Sequence, residues 1–169
     1  MSCLLSHNRL VDNVAIRYAA DDEFDAIAAL RWHWFAGENA RPPVTSREDF
    51  IRLFVSWSRE HASSHRWIIA SRGEDVVGMA CLAVLPRVPS PRRPDRASGD
   101  LQSVYVAPSE RNTGLGGQII AAILTLAGQL GLERVTVHSS TRAVSVYARG
   151  GFAVSTHLLQ AEAPFGAES

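Results

Sequence analysis

The stretch from Val106 to Gln118, which reads Val-Ala-Pro-Ser-Glu-Arg-Asn-Thr-Gly-Leu-Gly-Gly-Gln, decides the fold of this chain. A strand from Asp100 to Val106 is broken by Pro108, and the glycines then open an amphipathic helix that Gly131 can end. The first backbone amides of a helix lack intrahelical partners and lie at the positive end of its dipole, so they bind phosphate oxygens without lysine. The stretch therefore predicts a phosphate cradle, and a turn that only reverses the chain is the alternative.

Two other phosphate-binding loops do not fit this stretch. A Walker loop ends in Gly-Lys before Ser or Thr, yet all 17 basic side chains of the chain are arginines. A dinucleotide-binding fingerprint needs a third glycine at the position of Ile119 and a βαβ unit, whereas the strand here follows an antiparallel hairpin. Both motifs are therefore excluded.

Outward from the cradle, hydrophobic periodicity predicts one α/β domain with the element order βααβββαβαβ. Acids at Asp21 to Glu23 begin the first helix, which Gly37 can end, and a capping box of Thr45 and Glu48 begins the second. Pro86 to Gly99, with four prolines and four arginines, is predicted to be a mobile loop that cannot pair or pack well. The predicted strands are Ala15 to Ala19, Trp67 to Ser71, Asp75 to Leu85, Asp100 to Val106, Arg134 to His138 and Phe152 to Leu159, and the last predicted helix is Thr141 to Arg149.

Two linked motifs resemble the GNAT superfamily of acetyl-CoA-dependent N-acetyltransferases. The first is an apolar strand ending in Val106-Ala-Pro108, followed by Arg111-Asn-Thr-Gly114-Leu-Gly116 at a helix start. The second is Ser140-Thr-Arg-Ala143-Val-Ser-Val-Tyr147, with Gly151-Phe152 behind it. Ser140 stands where that family often has asparagine. The predicted element order is similar to the family's fold, a central mixed sheet flanked by helices.

The resemblance implies a single acetyltransferase domain over residues 14–160, preceded by an extension, 1–13, and followed by a tail, 161–169. It also implies acetyl-CoA as the cosubstrate, with pantetheine in a gap between two splayed strands and bonded to the backbone of Val104 to Val106. The cofactor-binding residues that it implies are Val104, Tyr105, Val106, Arg111, Asn112, Thr113, Gly114, Leu115, Gly116, Gly117 and Ser140.

Acetyl transfer from a thioester to an amine needs a base for the amine, a donor for the oxyanion and an acid for the departing thiolate. The resemblance implies Tyr147 as the acid, with a packed helix tyrosine as the alternative. It implies Asp100 as a base acting through water, with a turn residue at the strand start as the alternative. Strand alternation places Asp100 on one face with Gln102 and Val104. His138 is a rival base because histidine titrates nearest neutrality. The oxyanion donor is expected from a backbone amide near Val104 to Val106.

Composition restricts the partners and the compartment. The 17 arginines balance 17 acidic residues, so no net charge attracts a polyanion and no nucleic acid is expected. The longest apolar run, Val76 to Leu85, is too short for a bilayer, and the first ten residues do not read as a secretory signal, so a cytoplasmic protein without membrane contact is predicted. Cys3 and Cys81 are predicted to be reduced thiols. His61 and His65 lack a third ligand, so no metal is predicted.

The leading hypothesis is an acyltransferase of the GNAT type that moves the acetyl group of acetyl-CoA directly to a primary amine. Direct transfer is favoured because no cysteine lies near the two motifs to carry a covalent intermediate. A non-catalytic acyl-CoA-binding or sensing domain and a transferase of larger acyl groups are the alternatives. Homodimers are common in the family that the motifs resemble, and no surface patch argues for one independently.

The acceptor amine stays open at the level of sequence. The acids of the first helix, Asp21, Asp22, Glu23 and Asp25, are suited to attract a cationic amine, although complementing the helix dipole explains them equally. Among the tryptophans, Trp34 and Trp57 are assigned to the core, and Trp32 falls off the apolar stripe as a candidate for the acceptor pocket. That stripe is Phe24, Ile27, Leu30, Arg31 and Trp34.

Overall fold

The computed structural model of this chain describes residues 13–38 and 42–161, and within them five strands form one mixed sheet. The strands lie in the order β1-β2-β3-β4-β5, with antiparallel pairing from β1 to β4 and parallel pairing between β4 and β5. The predicted α/β class, a mixed sheet flanked by helices, is confirmed. The strands are β1 (Val14–Tyr18), β2 (His65–Arg72), β3 (Asp75–Arg87), β4 (Arg96–Val106) and β5 (Val135–Val137).

Helices cover both faces of the sheet, and strand alternation decides which residues they bury. On one face, helices α1 and α2 bury Ile69, Met79 and Cys81, and on the other, helix α3 buries Ile68 and Leu82. Neighbouring residues of one strand therefore serve two separate cores, which explains why β2 and β3 are apolar on both faces. The helices are α1 (Phe24–Glu38), α2 (Arg47–Glu60), α3 (Leu115–Gln129) and α4 (Val144–Arg149).

The second helix begins one residue later than predicted. Ser46 is its N-cap in place of Thr45, and the Ser46 Oγ accepts a hydrogen bond from the Asp49 amide at 3.1 Å. The Ser46 hydroxyl also donates to the Asp49 carboxylate at 2.7 Å, so the acid of the cap is Asp49 and not Glu48. Ser46 and Asp49 have the same spacing as Thr45 and Glu48, and both pairs suit an N-cap. Spacing alone therefore could not select the correct register.

The predicted loop from Pro86 to Gly99 is strand at both of its ends. β3 extends to Arg87 and β4 begins at Arg96, which lies directly opposite Arg87, so only residues 88–95 connect the two strands. Two hydrogen bonds of 2.8 and 3.1 Å from Arg96 to the Glu133 carboxylate anchor the start of β4. The prediction that this segment cannot pair is therefore wrong for its two ends, where Glu133 compensates the charge of Arg96, and residues 88–95 form the connection between the strands.

The predicted last strand, Phe152 to Leu159, is not formed. Residues 152–161 belong to no helix or strand, so the observed order ends at α4. Val154 and Leu159 are 93% and 90% exposed, which means that their apolar alternation has no sheet face to cover. In this segment Phe152 alone contacts an aromatic ring, packing edge-on against Tyr147 at 5.5 Å.

The ends of the chain give no test of the predicted domain limits. The predicted extension, 1–13, and tail, 161–169, lie outside the described residues except for Asn13 and Ala161, and so does Cys3. The division at residues 14 and 160 therefore stays a prediction. In the described part of the chain, no helix has both the length and the apolar character needed to cross a membrane.

Candidate active site

The site is organised by the divergence of β4 from β5. The two strands pair only where Gly99–Leu101 lies beside Val135–Val137. β4 continues to Val106, and in its last part, Gln102–Val106, it pairs with β3 alone. Among the described residues no strand covers the other side of Gln102–Val106, which leaves an edge on which an extended ligand can form strand-like hydrogen bonds.

A β-bulge at Ser103 turns this edge. The register passes from Cys81 opposite Gln102 to Met79 opposite Tyr105, so β4 has one residue more than β3 between these pairs. Ser103 adopts a φ of 55°, in the left-handed region that L residues with a side chain rarely adopt. The predicted shared face is wrong beyond the bulge: Gln102 stays on the α1–α2 face, whereas Val104 packs against the cluster under α3. A bulge inverts the alternation of side chains between the two faces of the sheet, and no pattern in the sequence predicted this bulge.

The predicted phosphate cradle lies at the start of α3. Gly114 is the N-cap, with a φ of 84°, and no side chain caps the helix. The amides of Leu115, Gly116 and Gly117 occupy the first turn, where helical geometry provides no acceptor for them. The Leu115 side chain is buried in the core, so this residue presents only its backbone. The start of α3 is therefore a set of backbone donors without side-chain partners. Glycine at position 114 accommodates the positive φ that this N-cap requires.

Neighbouring side chains hold the loop before α3. The Arg111 Nε donates to the Val106 carbonyl at 3.1 Å, and its guanidinium lies 5.3 Å from the centre of the Tyr105 ring. The Thr113 hydroxyl donates to the Glu110 carbonyl at 2.7 Å. Asn112 is exposed, with a φ of 65°. Of the predicted loop residues, Arg111 and Thr113 thus stabilise the loop itself, and the Tyr105 side chain is buried in the α1–α2 core.

Helix α4 closes the cradle from the side. A Cβ added at Gly116 would lie 3.9 Å from Val106 and 4.0 Å from Val146, so the end of β4, the start of α3 and α4 meet at this point. A Cβ at Gly150 would lie 2.8 Å from Ile120, which shows how closely α4 approaches α3. Ser140 is exposed in the turn before α4, where its carbonyl accepts from the Ala143 amide at 2.9 Å.

Tyr147 lies on α4 beside the cradle. Its side chain is 8% exposed, and burial raises the pKa of its phenol above the ordinary value of 10. Within the described residues, its hydroxyl has no hydrogen-bond partner, although the ring packs in the cluster under α3. A phenol of raised pKa stays protonated at neutral pH, so Tyr147 is an O–H donor available to a ligand.

Asp100 lies on the opposite face of the sheet from Tyr147. It is paired with Ala83 in β3, and its carboxylate accepts hydrogen bonds from Gln102 Nε2 at 2.8 Å and from Thr136 Oγ1 at 3.3 Å. His138, the rival base, is exposed beyond the end of β5. The structure therefore places Asp100 on the α1–α2 face, where Gln102 contacts a cavity, and leaves His138 outside both clusters.

The cavity on the α1–α2 face is the part of the site that the sequence did not reveal. Its volume is about 320 Å³. Trp57 lines it, so its assignment to the core is wrong, whereas Trp32 is not among the lining residues and packs on Phe50 with ring centres 5.6 Å apart. Arg31 also lines it, and an arginine on the apolar stripe of α1 was the available sequence signal. The lining residues are Arg31, Phe50, Leu53, Phe54, Trp57, Trp67, Cys81, Gln102 and Ser103.

Two lining groups have perturbed chemistry. Burial raises the pKa of Cys81 to about 12, so this thiol stays protonated and unreactive at neutral pH. Burial lowers the pKa of Arg31, yet an arginine remains charged at any physiological pH. The sequence placed no cysteine near the motifs, and the structure brings Cys81 opposite Gln102 of β4. Its pKa nevertheless leaves it without the thiolate that a covalent acyl carrier requires.

The two histidines with metal-pair spacing belong to an aromatic cluster. The Trp57 ring stacks on His61 at 4.4 Å and meets His65 edge-on at 4.7 Å. The His61 Nδ1 lies 2.8 Å from the Trp57 carbonyl. Across residues 13–38 and 42–161, no group of three or more His, Cys, Asp or Glu side chains is arranged to hold a metal ion.

The described residues thus combine a diverging strand pair, a set of free amides at the start of α3 and a cavity on the α1–α2 face. The model of the acetyltransferase (GNAT) family matches residues 24–152, and the chain therefore belongs to that family and is an acyltransferase. No curated protein sequence matches the chain.

Three solved structures illustrate how far this fold is shared. A predicted acetyltransferase from Clostridium acetobutylicum, solved with acetyl-CoA, has a TM-score of 0.71 and 16% identity over 88% of this chain and 96% of its own. Glucosamine-6-phosphate N-acetyltransferase from Arabidopsis thaliana has a TM-score of 0.67 and 17% identity over 90% and 99%. An aminoglycoside acetyltransferase from an uncultured soil metagenomic sample, solved with trehalose, has a TM-score of 0.69 and 15% identity over 92% and 99%. At these identities the likeness shows the fold.

Proposed function

We propose that this chain transfers the acetyl group of acetyl-CoA directly to a primary amine. The observation that carries the proposal is the uncovered edge of β4, Gln102–Val106, because it connects two different kinds of site. At its end lie the amides that begin α3, and on the α1–α2 face Gln102 and Ser103 line the cavity. A thioester lying along the edge would have its diphosphate on the amides and its acyl end beside the cavity.

The described residues fit the donor. The amides of Leu115 to Gly117 offer donors to a diphosphate, and Gly116 leaves room for it because nothing lies nearer than 3.9 Å to a Cβ at that position. The pantetheine arm is assigned to the backbone of Val104 to Val106, one of whose amides would also stabilise the developing oxyanion. Since the Val106 carbonyl already accepts from Arg111, we assign the arm's first hydrogen bonds to Val104.

Acid and base approach the reaction from opposite faces of the sheet. Tyr147, on the α3 side, is placed to give its proton to the departing thiolate, and its raised pKa keeps that proton available. Asp100, on the α1–α2 side, is placed to accept the ammonium proton through water, with Gln102 between it and the cavity. This division suits a reaction in which the amine enters on one face and the thiol leaves on the other.

Direct transfer is favoured over an acyl-enzyme. The only cysteine among the described residues, Cys81, is buried, and its pKa of about 12 suppresses the thiolate. A covalent carrier would need a nucleophile with a depressed pKa or an adjacent base. We therefore expect sequential kinetics, in which acetyl-CoA and the amine are both bound before CoA leaves.

Release of free thiol from acetyl-CoA across a panel of amines tests the proposal. We expect at least one amine to raise thiol release above spontaneous hydrolysis, and Tyr147→Phe to suppress that release while calorimetric binding of acetyl-CoA is unchanged. Binding of acetyl-CoA without release for any amine would indicate a sensing domain, and preference for a longer acyl-CoA would correct the donor. A cytoplasmic location and a homodimer stay predictions, to be checked by fractionation and by light scattering.

A further inference from the structure

The cavity on the α1–α2 face contains a guanidinium that has no counter-ion among the described residues. Arg31 is partly buried and is the only charged residue among the nine that line the cavity. Its guanidinium donates to Ser103 Oγ at 2.5 Å and lies 5.7 Å from the centre of the Trp34 ring. Among the described residues, none of the carboxylates forms an ion pair with it. A charge removed from water without a partner is unfavourable, so this arrangement suits a site that a ligand's anion completes.

The rest of the wall is apolar and aromatic. Phe50 and Phe54 pack against each other at 5.9 Å, and Phe54 lies 5.2 Å from Trp67. The Trp67 indole N–H is a buried donor without an acceptor in the described part of the chain. Flat rings around a single cation offer contact area to an aromatic or large aliphatic group next to an anion. Apart from the Trp67 N–H, they offer few hydrogen-bonding groups to a ligand that is polar throughout.

The charge of Arg31 also discriminates against one class of amine. An amine reaches the site as an ammonium ion, and a guanidinium nearby in a low-dielectric cavity repels it. A polycation brings several positive charges and no negative group to compensate the charge of Arg31. An amine that carries its own carboxylate brings compensation for Arg31, because guanidinium and carboxylate form two parallel hydrogen bonds.

We propose that the acceptor is a small amine bearing a carboxylate, which Arg31 binds, and an aromatic or large aliphatic group, which the rings of α2 and β2 bind. The α-amino group of an apolar amino acid has this chemistry. A volume of about 320 Å³ lies at the small end of ligand pockets, which favours a metabolite over a protein segment. This inference rests on the proposed function, because it names the acceptor of the same reaction.

The reaction balances with the groups already described. The amine nitrogen forms a bond to the acetyl carbon as the carbon–sulfur bond of the thioester breaks. The ammonium loses one proton through water toward Asp100, and this gives the neutral amine that attacks. When the carbon–sulfur bond breaks, the thiolate receives a proton from Tyr147, and the second proton of the nitrogen restores the phenol. Asp100 passes its proton to solvent. Arg31 contacts only the carboxylate, so it positions the acceptor and takes no part in proton transfer.

Matched amines that differ only in the carboxylate test the inference. L-phenylalanine is compared with phenethylamine, and L-tryptophan with tryptamine, by thiol release from acetyl-CoA and by calorimetric binding in the presence of CoA. We expect kcat/KM to be at least tenfold higher for the carboxylate member of a pair, mainly through KM. Arg31→Gln is expected to abolish that preference, and Arg31→Glu to reverse it. Arg52→Gln, which removes an exposed arginine of α2 outside the cavity, is expected to leave it intact.

The outcomes separate this inference from the proposed function. Binding of CoA with equal or better use of phenethylamine, tryptamine or spermidine would overturn the acceptor assignment and leave acetyl transfer standing. Binding of CoA with neither use nor binding of any of these amines would also overturn it. Failure of acetyl-CoA to bind at all would contradict the proposed function itself. Circular dichroism of each Arg31 variant checks that a loss of preference does not come from unfolding.

Discussion

The two faces of the sheet carry two halves of one site, and they are built in different ways. On the α3 face the groups that we propose to bind the donor are backbone amides, contributed by one continuous stretch from Gly114 to Gly117. On the α1–α2 face the groups that line the cavity are side chains, contributed by α1, α2, β2, β3 and β4. The bulge at Ser103 lies between them, and it turns the end of β4 from one face toward the other.

This difference explains what each half can specify. A backbone cradle recognises a diphosphate whatever the neighbouring side chains are, so it is suited to a donor that every member of the family shares. A cavity of side chains changes with each substitution, so it is suited to an acceptor that differs from one member to another. The predictions below challenge this division, beginning with the change that should matter most.

Tyr147→Phe should have the largest effect, because Tyr147 is the point where the α3 face performs chemistry. The change removes one hydroxyl and almost no volume, so we expect turnover to fall about 100-fold, the usual contribution of a general acid. The affinity for acetyl-CoA should stay within a factor of two, as measured by calorimetry. If Tyr147→Phe leaves turnover on the best acceptor unchanged, Tyr147 is a packing residue, and the α3 face binds the donor without contributing to the chemistry.

Gly116→Leu tests whether the α3 face recognises its ligand through backbone. A leucine there would fill the space that a diphosphate needs, and we expect CoA to bind at least about tenfold more weakly, or ~1.4 kcal/mol. Gly116→Ala is the matched control, since its Cβ would make only ordinary contacts of 3.9 and 4.0 Å and should preserve most of the affinity. If a folded Gly116→Leu protein binds CoA with the affinity of the parent, the diphosphate does not bind at the start of α3.

Asp100→Asn tests whether the α1–α2 face supplies the base as well as the pocket. The change keeps size and hydrogen bonding but removes the basic oxygen, so we expect a loss of roughly tenfold or less near pH 7, at the low end for proton transfer, that disappears at alkaline pH. The profile of kcat/KM against pH measures it. His138→Gln should do much less, because His138 lies outside both clusters. A profile that moves with His138→Gln and not with Asp100→Asn would assign the base to histidine.

The smallest expected effect is on the free energy of unfolding, and it comes from His65 on the α1–α2 face. Burial, and secondarily the charge of His61, lowers the pKa of His65 below 6.5. The unfolded chain therefore takes up a proton first as the pH falls, so the free energy of unfolding should decrease below about pH 6.5 and be constant above it. Urea unfolding from pH 7.5 to 5 measures the slope. His65→Gln should flatten it, while His33→Gln, on the exposed side of α1, should not.

The sequence predicted the α3 half well because that half is local. The strand, the proline, the glycines and the helix follow one another between Asp100 and Leu130, and the structure has them in that order. The edge of β4 was anticipated only through the resemblance, and its divergence from β5 after Leu101 agrees with that expectation. Here neighbours in the chain are neighbours in the site, so spacing carries the information.

The α1–α2 half was predicted poorly because it depends on contacts between distant residues. Arg31 and Ser103 are 72 positions apart, and their hydrogen bond exists only once α1 packs over β4. Trp57 was assigned to the core and lines the cavity instead, because helical periodicity shows which face of a helix is apolar, but not which part of that face remains open. The last strand failed for a related reason, since alternation from Phe152 to Leu159 required a sheet face that β5, three residues long, does not offer.

The sequence by itself determined the family and its mixed α/β fold, through the two motifs that resemble that family. It also determined the glycine-rich start of α3, because that start follows local steric rules: glycine where φ is positive, proline where a strand ends, and orphan amides at the first turn of a helix. Only the tertiary structure decided the register change at Ser103, the cavity and the unpaired charge of Arg31. A bulge reverses every side chain beyond it, and the balance between a charge and its partner is a property of space and not of sequence order. The site proposed for the donor therefore consists of residues adjacent in the chain, whereas the site proposed for the acceptor consists of residues that only folding brings together.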